Sequence, residues 1–154
     1  MDKTELIQRI IQNLQDELVQ AIHAAEEAHA GATHAESKAE TQYDTIGLEH
    51  AYLAEGQSRR IDELRIDISK LENWQAPDFN EDDEAYLGAC LRLESSDGHK
   101  TLSLFIAPSG GAQNIEGMQI ITPNTPLGQA LLGKGEEETI TLPNGLSYSI
   151  QRIY

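Results

Sequence analysis

No proline interrupts residues 4–74, whereas all five prolines of the chain lie beyond position 76. Freedom from the strongest helix breaker over that length permits long helices, and the apolar pattern uses it. Ile7, Leu14, Ala21 and Ala28 recur every seven residues, with Ile11, Leu18, Ala25 and Ala32 four behind them. On a helix these positions form one stripe. Asp2, with Glu5 three later, supplies a start cap. Ala54, Ile61 and Ile68 share a second seven-residue spacing, and Leu64 with Leu71 a third, so another amphipathic helix is predicted to end near Trp74. Two such arms, of about 28 residues and on the order of 42 Å each, pair as an antiparallel hairpin, a coiled coil over 1–74. Ile and Leu fill its seam near the base, and alanines replace them from Ala21 onward, which predicts a slim far end.

The second half reads differently. Residues 75–84 (QAPDFNEDDE) are polar and acidic and carry Pro77, the composition of a linker. Residues 85–154 are predicted to form a small antiparallel β-sheet domain with one short helix, giving an α+β chain. Thr125 is a helix N-cap candidate and Pro126 fits the first helical position, where its missing N–H costs nothing. Gly133 stops the apolar run of Leu127, Ala130, Leu131 and Leu132. Apolar and polar residues then alternate over 138–142 and 146–150 around Asn144-Gly145, a hairpin signal.

Chemistry is predicted at the hairpin turn. Between Glu26 and Glu49 there are six acids against one base, Lys38, and equal arms put the reversal between Gly31 and Asp44. Glu36, Glu40 and Asp44 are spaced by four and share a face of any helix that holds them. Like charges there repel unless a cation or a basic partner compensates. A structural reading stands beside this one: Thr33 with Glu36 and Ser37 with Glu40 are capping-box patterns, and Asp44 can itself be an N-cap.

Net charge is −15, divided as 15 acids against 7 bases up to residue 74 and 11 against 4 beyond it. That argues against binding of free DNA or any bare phosphate backbone and for a basic protein surface as partner. The one cysteine, Cys90, lies in an apolar alternating run and has no internal disulfide partner, as suits a reducing compartment. Charged sequence follows Met1 at once, and no apolar run approaches membrane-spanning length, so a cytoplasmic protein without membrane contact is expected.

Other constellations carry less. His23, His29 and His34 are spaced by six and five, which matches no zinc pattern. Arg59 and Arg60 adjoin Asp62 and Glu63 and read as a solvated helix face. The loop PSGG at 108–111 has no lysine and opens no helix, and Ser147 and His99 lie in no nucleophile motif.

Residues 120–150, with a strand, a Thr-Pro turn, a short helix ending in Gly133-Lys134 and a closing hairpin, resemble the C-terminal domain of the bacterial Gre transcript-cleavage factors. The run EHAYLAEGQSRRIDEL from Glu49, with its His-Ala and Arg-Ile steps, is similar to that family's second helix. The resemblance covers nearly the whole chain. It implies a C-terminal domain of FKBP-like fold that docks on a coiled coil of RNA polymerase, here through Ile121, Pro123, Pro126, Leu127 and Leu131. It also implies a coiled coil entering the polymerase secondary channel, so that RNA is met only indirectly. In the family an Asp and a Glu three residues apart at the tip help hold the catalytic magnesium and its water, and the metal lowers the pKa of that water.

By that resemblance Glu36, Glu40 and Asp44 are the candidate tip acids. Glu40 and Asp44 would share the polymerase's magnesium, the chain having no cofactor of its own. Here the pattern departs from the family: Ala39, Tyr43 and Gly47 stand three residues after the three acids. The expectation is therefore a transcription elongation regulator with weak or no stimulation of cleavage, and no enzyme in its own right. The alternative is a prolyl isomerase or chaperone-type activity of the C-terminal domain. Its aromatic-lined pocket is hard to build from Trp74, Phe79, Phe105, Tyr86 and Tyr148.

Overall fold

The structure, a computed structural model, describes residues 2–38 and 44–154, with side chains described for 2–28, 30 and 55–154. A helical hairpin is followed by a small mixed sheet. Helix α1 (Lys3–Lys38) is longer than the periodicity predicts, and α2 spans Asp44–Glu72. Gly31, the weakest helix former near the end of α1, costs a helix only about 1 kcal/mol and does not stop it. The gap between the helices falls inside the predicted 31–44 interval.

Chain contacts group into two compact units, Gln12–Ser69 and a second made of Met1–Ile11 with Lys70–Tyr154. This division differs from the one at 74 and 85 suggested by composition, because the base of the hairpin clusters with the sheet.

In the first unit the seven-residue stripe is the seam: Leu14, Ala21 and Ala28 are buried on α1, Leu64 and Ile68 on α2. Arg60 ties the arms, donating from Nε to Glu17 at 3.1 Å, with Glu63 3.4 Å from Nη1. Arg60 is thus a strut, and its guanidinium is held above its ordinary pKa chiefly by the Glu17 hydrogen bond. His23 lies 4.0 Å from Glu26. Among the described residues no group of acids, histidines or cysteines is arranged to hold a metal.

In the second unit the sheet comprises β1 (Cys90–Ser95), β2 (Thr101–Ile106), β3 (Asn114–Ile115), β4 (Met118–Ile121), β5 (Thr139–Thr141) and β6 (Ser147–Ile153), in the order β3-β4-β2-β1-β6-β5. All pairings are antiparallel except β2 with β4, so the antiparallel sheet expected from the alternation is in fact mixed. Alternation reports which face a residue occupies, not the direction of the neighbouring strand. The chain leaves β2, passes beyond one strand's width and turns back through β3, so that β4 fills the space beside β2. That reversal is a two-residue turn in which Glu116 and Gly117 both have positive φ, 50° and 87°.

One face of the sheet carries the core, with Leu91, Leu93, Leu104, Ile106, Ile150 and Ile153 buried against helix α3 (Pro126–Leu131). On the other face Phe105 is buried and meets the Trp74 ring at 6.2 Å between centroids. Residues 75–84 are not a free tether. Lys3 donates to the Pro77 carbonyl at 2.9 Å and stands 4.7 Å from the centroid of the Phe79 ring. Gly88, at φ +96°, gives Pro77 the space that a Cβ would fill. Desolvation pulls the Lys3 ammonium below its ordinary pKa, against the opposing pull of Cys90 and Asp78.

Cys90 is buried on this second face, as expected, and burial raises its thiol pKa to about 11 although Lys3 pulls it down. A raised thiol pKa favours the neutral form in the folded chain. That contribution to stability is whole below the ordinary value near 9 and is lost as pH rises through about 11. Iodoacetamide at pH 8 should therefore label Cys90 slowly in the native chain and quickly in urea; fast native labelling would place the thiol at the surface.

Candidate docking surface

The turn before α3 is built by side chains that replace water as backbone partners. Thr125 Oγ1 accepts from the Gly128 N–H at 3.1 Å, the predicted N-cap bond, and donates to the Thr122 carbonyl at 2.8 Å. Gln129 Nε2 donates to the Pro123 carbonyl, and the Thr125 N–H reaches the Thr122 carbonyl at 3.2 Å. Pro126 occupies the first helical turn, and the Leu132 N–H closes on the Gly128 carbonyl. Gly133, at φ +79°, then turns the chain so that its N–H meets the Ala85 carbonyl, as Lys134 returns its own carbonyl to the Ala85 N–H.

These bonds fix which predicted docking residues are available. Leu131 is fully buried and Ile121 nearly so, and both belong to the core. Pro126 is exposed, while Pro123 and Leu127 are half-buried. Pro126 and Leu127 join Ile121, Leu142 and Pro143 around a concavity of about 650 Å³ whose rim carries Asn114, Gln119 and Asn144. No charged and no aromatic side chain lines it. Of the predicted docking residues, Pro123, Pro126 and Leu127 are therefore accessible, and in the same concavity as Pro126 and Leu127 the fold sets Leu142 and Pro143 of the β5–β6 turn. Sequence reasoning missed this pair because only the fold brings that turn to α3.

The turn itself departs from the two-residue hairpin that Asn144-Gly145 suggests. The Gly145 N–H bonds the Leu142 carbonyl and the Leu142 N–H bonds the Leu146 carbonyl, while Gly145 alone has positive φ, +83°. Pro143 is suited to the second position of such a type I turn, and Gly145 takes the bulge that follows.

Of the candidate tip acids, Glu36 lies in the last turns of α1 and Asp44 opens α2, their side chains falling outside the described part. Glu40 lies outside the described residues altogether, as do the side chains of His29 and His34.

No family model and no curated protein matches the chain. Among solved structures it is similar to GreA factor homolog 1 of Thermus thermophilus, with 19% identity over 94% of each chain and a TM-score of 0.40. A second, Gfh1 of Thermus aquaticus, is 23% identical over 93% of this chain and 92% of its own, with a TM-score of 0.42. The prokaryotic transcription elongation factor GreA/GreB of Nitrosomonas europaea is 19% identical over 58% of this chain and 78% of its own, with a TM-score of 0.34.

Proposed function

We propose that the chain is a Gre-like regulator of bacterial RNA polymerase that docks through the α3 surface and carries an acidic coiled-coil tip into the secondary channel. The observation that carries this reading is the Thr125-capped helix in its strand, Thr-Pro turn, helix and hairpin order, standing behind a helical hairpin. In this reading the protein works in the cytoplasm, meets RNA only inside the polymerase and is not itself an enzyme. Any magnesium involved is the polymerase's own. An apolar concavity with an amide rim supports contact with a protein surface, and the turn's internal bonds leave little entropy to lose on docking. The isomerase alternative gains nothing from it, since its lining is aliphatic and amide.

Binding to purified core polymerase tests the proposal. The parent should bind, and Leu127→Asp, which changes a half-buried position at the rim, should keep its circular dichroism spectrum and lose at least about tenfold in affinity, roughly 1.4 kcal/mol. Parental binding by the folded variant would move the docking surface elsewhere, and a parent that does not bind would end the reading.

A further inference from the structure

In a chain with 26 acidic side chains against 11 lysines and arginines, Arg92 of β1 and Arg152 of β6 face each other directly across the sheet. Like charges directly opposite destabilise a strand pair. A bulge creates this one. Pairing runs from Arg92 with Arg152 to Leu93 with Ile150, skipping Gln151. Continued in the register of Leu93, the ladder would set Gln151 opposite Arg92; the bulge puts a second arginine there instead.

Both arginines are exposed, and among the described residues neither forms an ion pair. Arg152 lies 5.2 Å from the centroid of the Tyr154 ring. Ser103 of β2 continues the row beyond Arg92. The row lies on the sheet face away from α3, next to the Cys90 and Tyr154 position. Glu136 and the acids at 81–83 line a cavity with Arg152, but Glu136 is committed to the Ile153 N–H at 2.9 Å and none of these acids pairs with the arginine.

We propose that Arg92 and Arg152 form a carboxylate clamp for an acidic segment of a protein partner. Arginines at two directly paired positions offer two planar guanidinium forks, and each fork matches the two oxygens of an Asp or Glu side chain. Cys90 and Phe105 are buried on this face, but Arg92 and Arg152 are exposed and can meet a side chain projecting from a partner. A polynucleotide would set its whole charge against a body of net charge −15, whereas an acidic segment brings only a few charges. The clamp does not depend on the partner being polymerase.

The test is a nuclear magnetic resonance titration of the full chain with tetraglutamate, tetraglutamine and an eight-nucleotide RNA. Tetraglutamate should give saturable shifts of the amides at Arg92, Ser103 and Arg152, tetraglutamine and RNA should not, and Arg92→Gln/Arg152→Gln should lose them. Arg152→Lys, which keeps the charge but not the fork, should bind several-fold more weakly. Relief of the opposed charges should raise the unfolding midpoint of the double variant. Absence of saturation, shifts that persist in the double variant, tighter binding of the RNA, or a fall in the unfolding midpoint would each overturn the clamp.

Discussion

Leu131→Ala should cost the sheet unit about 2–5 kcal/mol, toward the upper end of that range. The residue is fully buried in the cluster that includes Leu91, Ile140 and Ile150, and truncating it leaves a void whose cost depends on how far the surroundings can close. Here they cannot close far. A Cβ on Gly128 would run into the Thr122 carbonyl and come within 3.1 Å of Pro123 Cα, so α3 already rests on the preceding turn with only a hydrogen between them. The turn is itself held by Thr125 and Gln129, which prevents the helix from sinking inward. Urea unfolding followed by Trp74 fluorescence measures the loss. A cost under about 1 kcal/mol would mean that α3 is loosely seated and that the docking surface is less ordered than its hydrogen bonds imply.

Substituting Glu36, Glu40 and Asp44 together by Ala should abolish the effect on transcription while leaving polymerase binding intact. The basis is the proposed division of labour, in which α3 docks and the tip acts. If the acids only cap helices, each lost cap should cost about 1–2 kcal/mol of stability at most, and transcription should be unchanged. A transcription assay on paused and on backtracked polymerase, run beside a binding assay, separates these cases. The parent should shorten backtracked RNA weakly or not at all, because no Asp and Glu stand three residues apart at the tip. Strong magnesium-dependent shortening that disappears in Glu40→Ala or Asp44→Ala would make the chain a cleavage factor.

The sequence by itself determined the elements whose signals are local. The seven-residue spacing identifies Ile7, Leu14, Ala21 and Ala28, all buried, because helix periodicity depends only on neighbours along the chain. Thr125, Pro126 and Gly133 mark both ends of α3 for the same reason: caps act within one turn. Tertiary structure decided everything that needed a second segment. The parallel pairing of β2 with β4, the clustering of residues 1–11 with the sheet, and the seating of Pro77 against Gly88 join stretches whose separation leaves no local trace. The same holds at the candidate sites. Leu127 and Leu131 are both leucines of one short helix, and only the packing of that helix makes one a rim residue and the other core. Arg92 and Arg152 stand 60 positions apart, and a single bulged residue makes them direct strand partners, since a one-residue change of register moves a side chain to the other face of a sheet.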